Sequence, residues 1–279
     1  MSKALVVLSG GQDSTTCLFW AVNKYGVENV SAVTFDYGQR HLREIEAASI
    51  VATLAGITRH ELVVIGPILA GKSPLINPAE PLEAYNSFPE MDATIGSRVE
   101  KTFVPMRNAL FLTLAANRAA VMGSRNLVTG VCQADNANYP DCTQDFVFRM
   151  QDLINQALGY TEYDDPWIHI DTPLILLSKA KSINLALDIP GAYGALAYSH
   201  TSYDGAYPPT GKDHATTLRA EGFRVANWPD PLVLRAKSEG LMELPNTDNY
   251  ATDRISEALR VIGEDLALVA GISRWWKDL

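Results

Sequence analysis

Short continuous apolar runs alternate along the chain with longer stretches in which apolar residues recur every three or four positions. The first run, 4–8, is rich in Val and Leu, as a strand buried on both faces would be. Residues 15–22 have helical length and meet no breaker before Gly26. A second run, 30–35, precedes an amphipathic stretch: Leu42, Ile45, Ala48, Ala52 and Ala55 share one face, and Arg43, Glu44 and Glu46 lie off it. Gly56 ends that stretch, and 61–65 reads as a third strand. Strand, helix, strand, helix, strand predicts a doubly wound parallel sheet, whose ligands lie beyond the carboxyl ends of the strands.

The pattern breaks over 66–101, where Pro67, Pro74, Pro78, Pro81 and Pro89 punctuate a weakly periodic stretch. It is too long for a passive connection, so it reads as a lid over the site or a disordered excursion, with the lid preferred because ligands in such sheets need covering. Residues 102–108 lead into a helix that runs to about 122 and is apolar nearly all round, so it should be buried. A fourth strand is expected at 127–131. Phe146, Met150, Leu153 and Ala157 then mark an amphipathic helix, 168–171 a fifth strand, and Ser178 with Lys179 the start of another helix. Residues 198–217, rich in Tyr, Gly, Pro and His, read as a surface loop. A short helix should follow over 218–221. The tail carries Trp228, Trp275 and Trp276 and an amphipathic run over 255–270, which packs on its own core or on a second subunit. The fold expected is α/β with a five-stranded parallel sheet over 1–197 and a C-terminal loop and helical region over 198–279.

Composition narrows the setting. With 279 residues, 47% hydrophobic and 20% charged, the chain suits a soluble domain with a small appendage. No apolar stretch approaches the ~18 residues of a membrane span, and Met1-Ser2-Lys3-Ala4 leads directly into a strand rather than a signal peptide. Three cysteines without framework spacing fit a reducing cytoplasm. A net charge of −9 disfavours an extended nucleic-acid face.

The chemistry concentrates in Ser9-Gly10-Gly11-Gln12-Asp13-Ser14. A strand, a glycine turn and a helix start aim backbone N–H groups and a positive dipole end at one point, which suits phosphate. No Lys of a Walker loop is present and GxGxxG is absent. The SGGxDS pattern instead resembles the loop of N-type ATP pyrophosphatases, which cut ATP to AMP and pyrophosphate. Further along, SGGQDSTTC, FDYGQRH, FVPxRN, GVCxxD, YPDC and TPL with a following Lys occur in the order found in the 7-cyano-7-deazaguanine synthase (QueC) family, a resemblance that covers roughly 5–223.

That resemblance implies an adenine nucleotide α-hydrolase-like fold and a ligase reaction: 7-carboxy-7-deazaguanine and ammonia become 7-cyano-7-deazaguanine through an adenylated carboxylate and an amide. Halting at 7-amido-7-deazaguanine, or acting as a nucleotide-binding sensor or scaffold, are the competing readings. It implies ATP with Mg²⁺, a cytoplasmic homodimer, and a small-molecule substrate, with no nucleic acid or membrane as partner. ATP is expected along Leu8, Ser9, Gly10, Gly11, Gln12, Asp13, Ser14, Thr15, Thr16, Cys17 and Leu18, with Arg107 and Asn108 nearby. Ser14, Asp13, Lys179 and Arg107 are the implied catalytic groups. Arg40, His41, Asp135, Tyr139 and Asp141 are expected at the substrate. The family's four zinc-binding cysteine positions hold Ser202, Thr210, Asp213 and Thr216 here, poor ligands for a structural zinc, so zinc is expected to be absent. Thr143 stands where the family has Arg, and Met106 where Gly is usual, which is expected to add bulk near the site.

Overall fold

The computed structural model describes residues 2–134, 137–161, 166–267, 269, 272–277 and 279. Five strands, β1 (Ala4–Val7), β2 (Val30–Asp36), β3 (His60–Val64), β4 (Asn126–Val128) and β5 (His169–Asp171), form one parallel sheet in the order β3-β2-β1-β4-β5. The helices are α1 (Gln12–Tyr25), α2 (Arg43–Leu54), α3 (Phe88–Ile95), α4 (Arg107–Met122), α5 (Gln144–Leu158), α6 (Lys179–Asp188), α7 (Ala192–Ala195), α8 (His214–Ala226), α9 (Pro231–Ser238) and α10 (Thr252–Leu266).

Alternation along β1 divides the core. Ala4 and Val6, with Leu8 just beyond, join Leu18 of α1, Val51 of α2 and Ile183 of α6 on one face. Leu5 joins Leu112 of α4 and Met150 of α5 on the other. Each such large side chain taken fully from water contributes about 1.5–3 kcal/mol. The α4 face that meets the sheet is Ala109, Leu112, Ala115, Ala116 and Ala119, but Val121 is 83% exposed, so the helix is buried on one side and not all round.

Residues 66–101 are packed as a side wall. Tyr85, Met91 and Ile95 form a small core with Leu218 of α8, the Tyr85 N–H donates to Lys212 O at 2.7 Å, and the Arg40 N–H to Leu75 O at 2.9 Å. The stretch 198–217 is only in part a surface loop: Asp204, Thr210, Gly211 and Lys212 are exposed, but Ser199, His200, Ser202 and Asp213 are buried. The helix after it, α8, is longer than the 218–221 segment expected and starts at His214, because Asp213 caps it. The tail packs on its own chain. Ala258, Ile262, Leu266, Trp275 and Trp276 belong to the same core as β1 and α1, and the Asp265 carboxylate accepts from the Gly191 and Gly194 N–H groups at 2.7 Å each. No described helix is long and apolar enough to cross a membrane.

Candidate active site

Chain order reverses between β1 and β4: the strands after β1 lie on one side of it, and the later ones on the other. Ligands of open α/β sheets bind beyond the strand ends at such a point. The loop leaving β1 lies there. Gly10 has φ +84°, and a Cβ on it would stand 2.2 Å from Glu44 O, so only glycine lets this turn lie against α2. Gly11 is the N-cap of α1 and supplies no side-chain cap, which leaves the first N–H groups of the helix available to an anion. The Ser14 hydroxyl closes the loop on itself, 3.0 Å from Ser9 Oγ and 3.2 Å from Gly11 O. Gln12 is 4% exposed, yet neither amide atom has a hydrogen-bond partner among the described residues. A buried amide left unpaired costs about 1–3 kcal/mol unless something else meets it. With the uncapped helix end, it makes the loop fit a phosphorylated ligand.

The loop opens into a cleft of about 590 Å³, within the range of small-molecule sites. On one side Lys179, at the start of α6, lies 2.8 Å from Asp13 Oδ2 and is half-buried. On another, Arg107 opens α4. Burial works against its charge, but the oxygens of Tyr37, Tyr139 and Tyr203 around it raise its pKa above the ordinary arginine value. Glu44 also lines the cleft. Burial lifts its carboxyl to about 7, with Arg107 as the opposing influence. The rings of His41 and His200 meet edge to face at 5.1 Å. Burial, then its histidine neighbour, hold His200 down at about 4, and burial also lowers His41, so both imidazoles are neutral at pH 7.

Of the residues expected at the site, Leu8, Ser9, Gly11, Gln12, Asp13, Ser14, Arg40, His41, Arg107, Asn108, Tyr139 and Lys179 line this one cleft. Gly10, Thr15, Thr16, Cys17 and Leu18 lie behind the loop. The Thr15 hydroxyl donates to Gly11 O at 2.8 Å, and Cys17 and Leu18 are core residues. Arg40 turns partly toward the side wall, where Nη1 reaches Pro74 O at 3.4 Å. Asp141 faces the start of α4: its Oδ2 accepts from the Asn108 N–H at 3.4 Å, while Asn108 Nδ2 donates to Asp141 O at 3.2 Å. That makes it a brace for Arg107 and Asn108 and takes it off the cleft wall. Asp135 lies outside the described residues. Met106 has φ +64° and is 68% exposed, so it adds no bulk to the site; a left-handed backbone is what favours glycine there. Thr143 caps α5, its Oγ1 accepting from the Phe146 N–H at 3.2 Å. Glu44, Tyr37, His200 and Tyr203 were not among the expected site residues. Tyr37 sat inside the DYGQRH segment and could have been found there.

The four degenerate zinc positions gather around two carboxylates. Ser202 Oγ donates to Asp204 and also lies 3.2 Å from Asp213 Oδ2. Thr210 Oγ1 donates to Asp204 Oδ2 at 3.3 Å, and Thr216 donates its N–H to Asp213 Oδ1 at 3.0 Å. Among the described residues no three His, Cys, Asp or Glu side chains group as metal ligands.

Fold and site together define a doubly wound α/β domain with a glycine-rich loop and an open cleft at its switch point. Residues 3–227 match the family described as queuosine biosynthesis protein QueC, and the chain belongs to that family. The 7-cyano-7-deazaguanine synthase of Gloeobacter violaceus is 49% identical over 235 residues, covering 83% of this chain and 96% of that one. The synthases of Chromobacterium violaceum and Lysinibacillus sphaericus are 43% and 37% identical, covering 85% and 79% of this chain and 95% and 94% of theirs.

Proposed function

We propose that this chain is an ATP-dependent ligase that converts 7-carboxy-7-deazaguanine and ammonia to 7-cyano-7-deazaguanine, releasing AMP and pyrophosphate. What carries the reading is one juxtaposition, in a chain 49% identical to a protein named as that synthase: the uncapped start of α1 opens into the cleft that also holds Lys179 and Arg107. In the first half-reaction a substrate carboxylate oxygen attacks the α-phosphorus and pyrophosphate leaves. Negative charge then grows on the departing oxygens, where the α1 N–H groups and the Ser9 and Ser14 hydroxyls stabilise it. Lys179, oriented by Asp13, adds a positive charge at the same loop. Arg107, steadied by Tyr37, holds the carboxylate for attack. Ammonia then displaces AMP to leave an amide. A second ATP activates the amide oxygen, and loss of AMP with two N–H protons leaves the nitrile.

Mg²⁺ fits the donor set, since Asp13 is a carboxylate in the loop and such ions take one or two carboxylates plus substrate phosphates. Bound there, it would neutralise the phosphate oxygens. The Asp204 and Asp213 hydrogen bonds stand in for zinc in this reading. The protein acts as a cytoplasmic homodimer on small molecules, without contacting nucleic acid, in keeping with its charge of −9.

The test is incubation of purified protein with 7-carboxy-7-deazaguanine, an ammonium salt and Mg·ATP, followed by mass spectrometry and nucleotide analysis. The expected result is nitrile with AMP and pyrophosphate. Substrate-dependent ADP and phosphate would overturn the reading, and amide that never advances would restrict it to the first half-reaction.

A further inference from the structure

The match to the family ends at residue 227, and α9 and α10 lie beyond it. We infer that this C-terminal extension positions the phosphate loop: Asp230 holds Arg219, Arg219 grips the Ser199 and Thr201 hydroxyls on either side of His200, and the His200 N–H fixes the Gly10 carbonyl. The inference concerns the nucleotide half of the proposed reaction and needs only that the loop binds ATP.

The chain of contacts is continuous. Arg219, on α8, is 2% exposed, and each of its five N–H donors has an acceptor. Nε and Nη2 meet the two Asp230 oxygens at 2.6 and 2.7 Å. Nη1 donates to Ser199 Oγ and Thr201 Oγ1, each at 2.8 Å, and Nη2 also reaches Leu196 O at 3.1 Å. His200, between the two gripped residues, donates its N–H to Gly10 O at 2.8 Å. Asp230 is held in turn: it caps α9, accepting from the Leu232 N–H at 2.9 Å, and Leu232 and Leu234 of that helix are buried. A second contact runs in parallel. Arg235 of α9 donates to Ala197 O at 3.3 Å and lies over the rings of Tyr198 and Tyr207, 4.6 and 5.1 Å from their centroids.

The consequence for the loop follows from peptide geometry. In a trans peptide the carbonyl and the next N–H point in opposite directions. Fixing Gly10 O on His200 therefore aims the Gly11 N–H the other way, toward Ser9 Oγ, which it approaches at 3.3 Å. If the peptide turned over, a carbonyl oxygen would face the phosphates and repel them. Gly10 has no side chain of its own to prevent this, and its φ of +84° makes a turnover cheap. The restraint must come from outside the loop, and the extension supplies it through Arg219.

The experiment is equilibrium titration of the full-length protein with Mg²⁺ and α,β-methylene-ATP, which cannot be cut between the α and β phosphates, alongside thermal melting. Ser199→Ala/Thr201→Val removes the grip and leaves the Arg219–Asp230 pair in place. Asp230→Asn keeps the α9 cap and removes the charge that orients Arg219. Both should weaken nucleotide binding about three- to thirtyfold, the scale of couplings carried through such networks. The first leaves two buried guanidinium donors unpaired, so it should also lower the melting temperature by a few degrees; binding of 7-carboxy-7-deazaguanine to the folded protein should be unchanged in both. Wild-type nucleotide affinity in Ser199→Ala/Thr201→Val would overturn the clamp, whatever Asp230→Asn does to stability. If the wild-type protein fails to bind the analogue, clamp and ATP loop fall together. Failure to bind the deazaguanine touches the proposed substrate alone, because the clamp is read from the nucleotide titration.

Discussion

Glu44→Gln tests whether the cleft carboxyl is as strained as its surroundings indicate. Glu44 stands in the first turn of α2 with its side chain at the cleft, and burial raises its pKa from 4.5 to about 7 against the pull of Arg107. Among the described residues no ion pair joins it to that guanidinium. In the window between those values the folded protein binds a proton that the unfolded chain has released. Stability then falls as pH rises through the window and stops falling above about 7. At about 1.4 kcal/mol per unit the shift would be worth roughly 3 kcal/mol, and solvent at the mouth of the cleft reduces this to about 1–2 kcal/mol. Glutamine has the same shape and no titration. The difference in unfolding free energy, variant minus wild type, should therefore climb by about 1–2 kcal/mol between pH ~4.5 and ~8. Urea unfolding at a series of pH values measures it, and taking the difference removes every titration the two proteins share. A flat difference, or one that falls with pH, would show that Glu44 ionises normally.

The elements nearest the phosphate loop were legible because their signals are local. A buried strand, a glycine pair and a following helix are written in consecutive residues, and the parallel order follows from their alternation. What escaped depends on partners far along the chain. Residues 198–217 have the composition of a surface loop, and nothing in them announces that Arg219 and the later Asp230 draw Ser199, His200 and Thr201 inward. Glu44 shows the same limit in a helix. It lies off the apolar face, where a glutamate is ordinarily solvated, and only the placement of α2 beside the phosphate loop turns that face toward a cleft. Asp141 is the reverse case. Its residue type suits recognition of a donor edge, but a carboxylate beside a helix start is also drawn to the helix N–H groups, and here those prevail. For Met106 the sequence shows only bulk in place of a usual glycine; the backbone angle explains both why glycine suits the position and why the side chain points away from the site.

Met106→Gly should raise stability by about 0.5–1 kcal/mol, since relief of a left-handed non-glycine residue exceeds the added entropy of the unfolded chain. Chemical denaturation measures it, and an unchanged midpoint would mean the angle is held without strain. The last expectation concerns the degenerate zinc loop, which should behave as a carboxylate-centred knot and not as a metal site. Asp204 accepts from Ser202, from the Ala206 N–H at 2.7 Å and from Thr210. Burial raises its pKa, but these three donors outweigh that and hold the carboxyl below its usual range. Its contribution is thus present above the unfolded value of 3.8 and lost as pH falls through the folded one. Asp204→Ala removes one acceptor that three groups share and, because the carboxylate is exposed, should cost about 1 kcal/mol near neutral pH, with the loss shrinking in acid. A chelator should leave the wild-type melting temperature where it is, because hydroxyl and carboxylate hydrogen bonds carry no metal to extract. Elemental analysis with melting curves, with and without chelator, decides the matter. Stoichiometric zinc and a chelator-induced drop in melting temperature would refute the reasoning and make the buried Asp213 a metal ligand, not only the cap of α8.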